Sequence, residues 1–450
     1  MKKMFRKTMS LFLALVMAFA FLPSMTVFGE IGNQPDEDFL AFHNILVEEF
    51  GLEFATNYHI AIETINAIND SFPRNRLGDV MYPEYFGGMY IDDNGVLNVL
   101  VTKTAMSPLH LRQFDAVSVL SELNSLSALS LSHMQATNVK EVEFAYSYLW
   151  AVMDFLDYFI PNNRDNLAAN NVCGVSLSVV SNRIIVHLTE YTQEQIALFR
   201  DLVLDSPIID FAQSEGRLVS YEPFDMQISE LYGANGNTMN PLFTITVNPG
   251  DGIFVRSPAG VLRRTGSVGY RARVHTPRGW EYGFVTAGHI GFSGPLYSGQ
   301  RLYNSIGQNI GRVVFVGLQN ADAAFVATAH NVVVNNVANL SANVMNPTFG
   351  SVVISIGAAS GRRTGLVRDP WSGLIGSGEG VHVFAVRATF TAALNDSGGI
   401  VHQWVTATNN GVVGIVVAIW GHAPWADGGN TLFTAVNRHK IVIGNSLSLH

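Results

Sequence analysis

The chain has 450 residues, of which 48% are hydrophobic and 14% are charged. This composition excludes a largely disordered protein, and the length allows two or three domains with well-filled cores. The net charge of -9 conceals a division, because residues 30–250 carry 29 acidic and 9 basic side chains whereas residues 251–450 carry 7 and 14. The two halves are therefore expected to attract each other, although solvated acidic faces explain part of the excess. The scattered arginines of the second half, without interleaved aromatic residues, indicate no nucleic-acid partner.

The N-terminus has the three parts of a secretory signal peptide. Basic residues lie between Lys2 and Lys7, the apolar run Leu11–Leu22 follows, and a short segment ends at Gly29. We expect residues 1–29 to be removed and the protein to be secreted and extracellular, with a retained anchor as the alternative. The apolar run is shorter than the roughly 20 residues of a membrane-spanning helix, so no membrane contact is expected after cleavage.

The first half then predicts helices and one hairpin. Residues 36–68 have apolar side chains at helical spacing, which predicts helices packed on one face. Met89–Thr102 reads as two strands, and its Asn94-Gly95 pair predicts a hairpin closed by a type I′ turn. Two further helices are predicted at Pro108–Leu123 and Glu141–Phe159.

A smaller unit of strand, helix and strand follows. Gly174–Leu188 predicts two short strands around a polar turn. Thr192 and Gln195 form the signature of a capping box at the start of the helix. Closing strands are predicted at Ile208–Phe211 and Arg217–Val219, so this half is expected to be α+β.

Cys173 is the one cysteine of the chain, which excludes an intrachain disulfide. No His-containing motif flanks it, so we expect a buried structural thiol rather than a nucleophile. The stability of the secreted protein then depends on packing.

Leu231–Asp251 is rich in Gly, Asn, Thr and Pro and marks a domain boundary. We expect a linker at residues 231–250 that contains a maturation cleavage site, ahead of a domain at residues 251–450. Beyond the linker, short apolar runs alternate with Gly, Asn and Pro turns, which is typical of an all-β barrel or sandwich. The predicted strands are Val268–His275, Tyr282–Thr286, Ile310–Leu318, Ala323–Ala327, Ser351–Ile356, Val381–Phe390, Ile400–Thr406, Val412–Trp420 and Leu432–Val436.

Three positions in this domain have the residue types of a catalytic triad. One apolar run ends at His289, Asp322 opens another, and Ser397 lies in the turn Asn395–Gly399. A serine hydroxyl is a weak nucleophile near neutral pH, so it needs an imidazole to accept its proton and a buried carboxylate to orient that imidazole. The order His, Asp, Ser supplies all three groups.

Each of these residues has a plainer interpretation when it is taken alone. His289 is one of 13 histidines, and a Ser-Gly-Gly turn is usually a simple loop. Asp369 and Asp427 compete with Asp322, but they lie in Asp-Pro and Asp-Gly turns with no apolar strand behind them. The prediction therefore depends on the combination rather than on a single motif.

The segments Thr286–His289, Asp322–Val326 and Asp396–Gly399, in this order, resemble the motifs of the chymotrypsin-like serine peptidases. Ile356–Val367 is similar to a strand and turn of the bacterial branch that contains α-lytic protease and the streptogrisins. Phe86–Thr102 resembles the hairpin of the propeptides in that branch.

This resemblance implies that residues 251–450 form an all-β catalytic domain of two six-stranded antiparallel β-barrels, chymotrypsin-like, with the triad in the cleft between them. It also implies that residues 30–230 are an α+β propeptide, which helps folding, docks on the catalytic domain and inhibits it until cleavage. The relatives carry disulfides at the positions of Ile290 and of Gly361–Val367, and this chain carries neither.

The resemblance also implies an oxyanion hole made by the backbone N–H groups of Asn395 and Ser397. The family has glycine at the position of Asn395, but asparagine tolerates the left-handed backbone conformation that such a site requires. Asp396 matches an aspartate that organises the loop by pairing with a cation, and Arg387 is the candidate partner.

The substrate pocket is expected to be apolar. By resemblance it is lined by the residues before the nucleophile loop and by one strand after it, here Thr391, Ala392, Ala393, Val417, Ala418 and Trp420. None of these is acidic, which argues against a preference for Arg or Lys and favours a small or medium apolar side chain. His422 offers the alternative of an acidic preference.

These observations predict a secreted serine endopeptidase that is made as a zymogen, acts as a monomer on protein or peptide substrates and needs no cofactor. No closely spaced set of His and carboxylate residues indicates a metal site. The alternative is a secreted binding protein on a degenerate peptidase scaffold, in which Asn395 disables the oxyanion hole.

Overall fold

The computed structural model describes residues 37–75, 80–102, 137–213, 244–291, 294–318, 321–337, 340–344, 347–375, 382–406, 409–420, 430–435, 439–440, 443 and 446–449. The predicted signal peptide, the predicted helix at 108–123, the predicted strand at 217–219, and His422 lie outside these residues.

The described part of the first half contains both helices and strands. Its helices are α1 (Glu37–Phe50), α2 (Leu52–Ser71), α3 (Tyr146–Asn162), α4 (Leu167–Asn171) and α5 (Gln193–Leu202). Its strands are β1 (Phe86–Ile91), β2 (Leu97–Thr102), β3 (Thr137–Val142), β4 (Val172–Ser178), β5 (Arg183–Leu188) and β6 (Ile209–Gln213).

The second half is built from strands. They are β7 (Ile245–Val247), β8 (Gly252–Arg256), β9 (Leu262–Ser267), β10 (Arg271–Thr276), β11 (Gly279–Ala287), β12 (Arg301–Tyr303), β13 (Asn309–Gly317), β14 (Ala323–Thr328), β15 (Val332–Val334), β16 (Leu340–Val344), β17 (Val352–Gly357), β18 (Gly361–Ile375), β19 (His382–Ala388), β20 (Ile400–Thr406), β21 (Asn409–Trp420), β22 (Asn430–Ala435) and β23 (Ser448–Leu449). The predicted fold class, an α+β region followed by an all-β domain, is confirmed.

Two large sheets contain all described strands of the second half except β7 and β15, which pair with each other. One has the order β23-β10-β11-β14-β13-β12-β8-β9, and the other has the order β17-β20-β21-β22-β19-β18-β4-β5-β6, with β16 paired to β21. The architecture includes a closed barrel of six strands. Phe284, Val285, Phe325 and Val326 are fully buried in the first sheet's core, because both faces of these central strands are covered. The second sheet encloses a separate core around Val353 and other apolar residues.

The hairpin β1–β2 forms as predicted, but its turn differs from the prediction. Gly95 has a φ of 79°, whereas Asn94 is not among the described residues with positive φ. The N–H of Gly95 donates to the carbonyl of Asp92, and the N–H of Asp92 donates to that of Val96. This is a three-residue connection in which glycine alone takes the left-handed position, so the predicted type I′ turn is wrong. The carboxylate of Asp92 stabilises the loop by accepting the N–H groups of Asn94 and Val96.

Two helix starts show how local chemistry sets the bounds. Thr192 caps α5 by accepting the N–H of Gln195 at 3.3 Å, as the capping signature predicts. The helix predicted from Glu141 begins only at Tyr146, because residues 137–142 form β3 beside β2. The predicted helix therefore began too early, because the helical spacing of apolar residues was followed back into the end of β3.

Cys173 lies near the start of β4 and is half-buried rather than buried. Its neighbour Val172 faces the core, and successive side chains of a strand point to opposite faces. The thiol donates to the carbonyl of His187 on β5 at 3.2 Å. The expected full burial is therefore wrong, although the thiol does contact the neighbouring strand.

The first half lies directly against the second. Strand β4 pairs with β18, with Val175 opposite Gly373, so that β4, β5 and β6 extend the second sheet. The core of α1, α2 and the hairpin also includes Val352 and Ile354 of β17. A continuous sheet and a shared core make this contact resemble the interior of one domain.

Polar contacts fix the same interface. The hydroxyl of Tyr58 on α2, which is 1% exposed, accepts the N–H of Val352 at 2.8 Å. The N–H of Ile91 donates to the carbonyl of Phe349 at 2.8 Å. Next to the hairpin turn, the guanidinium of Arg368 lies 2.8 Å from the carboxylate of Asp93.

The predicted linker does not extend to residue 250. Ile245–Val247 forms β7, which pairs in parallel with β15, and the side chains of Ile245 and Val247 are buried in the first core. No helix in the described ranges is long and apolar enough to cross a membrane.

Candidate active site

Strand pairing brings two of the predicted triad residues together. His289 follows β11 and Asp322 precedes β14, and these strands pair so that Ala287 lies opposite Ala323. In an antiparallel pair, the end of one strand lies beside the start of the other. His289, just after β11, therefore lies next to Asp322, just before β14. Asp322 has a φ of 43°, an unusual backbone conformation for a residue other than glycine.

The carboxylate of Asp322 binds His289 through both oxygens. Oδ2 lies 2.5 Å from Nδ1 of the imidazole, and Oδ1 accepts the backbone N–H groups of His289 at 2.9 Å and of Gly288 at 3.1 Å. This geometry assigns the proton to Nδ1 and leaves Nε2 as the acceptor nitrogen. Burial lowers the pKa of His289, but the charge of Asp322 and its hydrogen bond outweigh that effect and raise the pKa above the ordinary value.

The hydroxyl of Ser397 completes the arrangement. Its Oγ lies 3.1 Å from Nε2 of His289, and the residue is 5% exposed. Nε2 is therefore placed to accept the hydroxyl proton when Oγ attacks an electrophile. The three predicted side chains, which are distant in sequence, meet in one place.

The turn before Ser397 presents two backbone N–H groups. Asn395 has a φ of 76°, the conformation that the glycine of the related motif would adopt without strain. Neither the N–H of Asn395 nor that of Ser397 donates to another of the residues that the structure describes. An oxyanion site requires two such backbone N–H groups that have no acceptor within the protein.

Asp396 does not form the expected ion pair with Arg387. The carboxylate of Asp396, which is fully buried, instead accepts three backbone N–H groups, from Ala359 at 2.8 Å, Ser360 at 3.0 Å and Ala393 at 2.7 Å. Arg387 lies on β19, opposite Asp369 and Leu432. Three charge-assisted bonds from the backbone satisfy a buried carboxylate without a cation, so the pairing prediction is wrong.

Ser267 contacts this loop, and no sequence motif marks it. It lies at the end of β9 and is fully buried, and its hydroxyl donates to the carbonyl of Asn395 at 2.7 Å. Its backbone N–H donates to the carbonyl of Ser397 at 2.8 Å. The contact spans 128 residues of sequence, so no local pattern could have predicted it.

Ile290 fills space beside the triad, next to His289 in the chain. Its side chain is buried against Gly266, where an added Cβ would lie 2.8 Å from Cδ1 of Ile290 and 2.8 Å from the carbonyl oxygen of Ser397. An aliphatic side chain and a glycine thus pack closely here, and packing stabilises the region without a disulfide.

The predicted pocket residues lie in different surroundings. Thr391 and Ala393 are exposed, whereas Ala392 is buried in the same core as Val416. Val417 belongs to the other core, and Ala418 and Trp420 continue β21. A cavity of about 700 Å³ borders Thr391–Ala393, and its other walls come from α1 and from the start of β18.

That cavity has charged walls of both signs. Glu48 and Glu49 of α1 lie on one side, and Arg362 and Arg363 of β18 lie on the other. Burial lowers the pKa of Arg362. Within the described ranges, no group of three or more His, Cys, Asp or Glu residues could hold a metal ion.

Comparison with protein families matches two segments of the first half. Residues 53–125 match the model of a Pro-like N-terminal domain, and residues 147–214 match that of a Pro-like C-terminal domain. Both matched segments lie in the first half, and the matched models are those of propeptide domains of the α-lytic protease family. The Pro-like N-terminal domain includes most of α2 and the hairpin, and the Pro-like C-terminal domain includes most of α3 and continues to β6.

Solved structures of proteases are similar to part of the chain. Thermobifida fusca Protease A is 22% identical, with a TM-score of 0.34, and the match covers 45% of this chain and 98% of that one. The Nocardiopsis protease NAPase is 24% identical, with a TM-score of 0.34 and coverage of 46% and 99%. Cellulomonas bogoriensis chymotrypsin is 24% identical, with a TM-score of 0.32 and coverage of 46% and 99%. No curated protein matches the sequence.

Proposed function

We propose that the chain is the zymogen of a secreted serine endopeptidase. The observation that carries the proposal is the hydrogen-bonded series from Asp322 through His289 to Ser397, with distances of 2.5 and 3.1 Å. The Pro-like domains support the zymogen part of the proposal, since a propeptide implies a protein that is cleaved to mature. Secretion rests on the predicted signal peptide at residues 1–29.

The reaction follows from the positions of these atoms. Oγ of Ser397 attacks the carbonyl carbon of a peptide bond while Nε2 of His289 accepts its proton, and Asp322 stabilises the imidazolium that forms. The N–H groups of Asn395 and Ser397 stabilise the oxyanion of the tetrahedral intermediate. His289 then gives the proton to the leaving amine, and a water molecule activated by the same imidazole hydrolyses the acyl-enzyme.

The domain arrangement extends the proposal. Residues 30–230 act as propeptide and residues 251–450 contain the catalytic machinery, but the mature chain must begin no later than residue 245. Cleavage after Val247 would remove β7 and leave β15 without its partner strand. We therefore place the maturation site before Ile245, and N-terminal sequencing of the secreted form tests this.

A small or medium apolar side chain is the proposed preference at the cleaved bond. This proposal rests on the family resemblance alone, which assigns the uncharged residues Thr391, Ala392 and Val417 to the pocket. Cleavage of a peptide library by the mature secreted protein tests both the activity and the preference. Ser397→Ala must abolish cleavage, and Ser305→Ala, a change at an exposed serine of a turn, must not.

The binding-protein alternative makes the opposite prediction for Asn395. If the natural protein is inactive and Asn395→Gly creates activity, the oxyanion hole is disabled in the natural chain and the alternative is correct. Activity of the natural protein comparable to that of the glycine variant rejects the alternative. The φ of 76° at Asn395 supports the peptidase reading, since it is the conformation that glycine would adopt there.

A further inference from the structure

The nucleophile turn depends on one peptide plane that is held at both ends. Between Asn395 and Asp396, the carbonyl oxygen accepts the hydroxyl proton of Ser267 at 2.7 Å. At the other end of the same peptide unit, the N–H of Asp396 donates to the carbonyl of Ala393 at 3.0 Å. A peptide plane with both polar groups bonded has a fixed orientation, and this one adjoins the residue whose N–H faces the proposed oxyanion.

Ser267 is itself fixed on all sides. Its hydroxyl accepts the N–H of Ala358 at 2.9 Å, so the hydroxyl proton is directed to Asn395. Its backbone carbonyl accepts the hydroxyl of Thr286 at 2.8 Å, and its backbone N–H donates to the carbonyl of Ser397. Ser267 is fully buried, and each of its polar groups is hydrogen-bonded to a residue near the triad. Such a serine holds the carbonyl of Asn395 rigidly in place.

The support matters more here than it would with glycine in the turn. Asn395 is held at a φ of 76°, which glycine adopts freely but asparagine adopts at some cost. This cost is relieved if the carbonyl of Asn395 rotates about the N–Cα bond, which also changes the direction of that carbonyl relative to the N–H, a group of the preceding peptide unit. The bond from Ser267 opposes that rotation, since it would leave the carbonyl of Asn395 without its donor and the hydroxyl proton of Ser267 without an acceptor.

We propose that Ser267 is a positioning residue that holds Asn395 in the oxyanion-binding conformation. A glycine at position 395 would adopt this conformation without the bond from Ser267, whereas asparagine needs it. This inference rests on the proposed peptidase function. It predicts a coupling between the two positions: loss of the Ser267 hydroxyl harms the natural enzyme much more than it harms the Asn395→Gly variant.

The test is a double-mutant cycle on the mature enzyme made from the full chain, with kcat and KM measured per active site by burst titration. Ser267→Ala is expected to lower kcat about tenfold or more with KM changed by less than about twofold, approaching the roughly 100-fold cost of losing an oxyanion donor. In the Asn395→Gly background the same change is expected to lower kcat by less than about threefold. Affinity for a peptidyl aldehyde, which forms a tetrahedral adduct, should fall in parallel with kcat.

Thr286→Val provides the matched control, because it removes a buried bond to the carbonyl of Ser267 and leaves its hydroxyl in place. Its effect on kcat is expected to be equal in the two backgrounds. Equal effects of Ser267→Ala in the two backgrounds would overturn the inference, as would an unchanged kcat. Absence of activity in the natural protein would instead reject the proposed function. If Ser267→Ala is not secreted, the cycle is run with Ser267→Cys, which keeps the volume but donates only weakly.

Discussion

Asp322 contacts His289 with both carboxylate oxygens, Oδ2 to the imidazole Nδ1 at 2.5 Å and Oδ1 to the backbone N–H at 2.9 Å. The same side chain thus fixes where the ring lies and which of its nitrogens carries the proton. A group that touched only the ring would set the tautomer but would not bind the backbone of His289.

Asp322→Asn separates these tasks. An amide retains the size of the carboxylate but stabilises the wrong tautomer and provides no charge for the imidazolium, so kcat is expected to fall by about 10⁴. The variant should fold, which circular dichroism of the secreted protein checks. A kcat within about tenfold of the natural enzyme would show that Asp322 does not orient the base.

The raised pKa of His289 has a consequence for the pH profile. The imidazole must be neutral to accept a proton, so kcat/KM should fall as the pH drops through the pKa of His289. Because Asp322 raises that pKa, the midpoint of the acidic limb is expected above the ordinary value of 6.5. Measurement of kcat/KM across the range from acidic to mildly alkaline pH tests this, and a midpoint well below 6.5 would contradict it.

A pair of stacked histidines predicts acid sensitivity in the first half. Nδ1 of His43 on α1 and Nε2 of His59 on α2 lie 3.2 Å apart with stacked rings. Burial, and then the charge of His43, lower the pKa of His59 to about 4 from 6.5. The unfolded chain therefore binds more protons between those two pH values, and the stability present above this range is lost as the pH falls through it.

Down to about pH 5 the expected loss is at most about 2 kcal/mol, since each pH unit below the unfolded pKa of 6.5 contributes about 1.4 kcal/mol. Urea unfolding of the unprocessed Ser397→Ala chain at about pH 7.5 and about pH 5 measures it. His59→Phe should reduce the difference, because the phenyl ring keeps the contact with Phe42 but cannot be protonated. His330→Phe, at an exposed position, is the control. Equal pH dependence in both variants would exclude the pair as the cause.

Tyr58 tests the contact between the halves. Tyr58→Phe removes the acceptor of the Val352 N–H in a buried setting, which should lower the free energy of unfolding of the unprocessed chain by about 1–3 kcal/mol. Tyr148→Phe, at a residue that is 38% exposed, should change it by less than about 0.5 kcal/mol. The two variants unfolding at the same urea concentration would show that this bond does not stabilise the interface.

Local patterns predicted the parts of the molecule that local chemistry determines. The alternating runs of the second half and the cap at Thr192 follow from spacing and side-chain chemistry, and each formed. The triad was also predictable, because His289, Asp322 and Ser397 each lie in a short motif next to an apolar strand. Pairing of β11 with β14 brings His289 and Asp322 together, and Ser397 reaches them from the loop before β20 of the other sheet.

Features that depend on distant contacts were not predictable. The family resemblance led us to expect Asp396 to pair with Arg387, but backbone N–H groups, including those of residues 359 and 360, bind this carboxylate instead. Ser267 at the end of β9 contacts Asn395 in the loop between β19 and β20. These two segments are distant in sequence, and no sequence pattern predicts that they meet. The Gly-rich and Asn-rich composition before residue 251 concealed β7, whose partner lies in residues 332–334.

The most direct test of the central claim is labelling of the secreted protein with a fluorophosphonate probe, followed by mass spectrometry of the modified peptide. The account predicts one adduct, on Ser397, which disappears in Ser397→Ala and becomes very slow in His289→Ala, while Ser305→Ala labels normally. Undiminished labelling of Ser397→Ala would contradict it, because the nucleophile would then be a different residue.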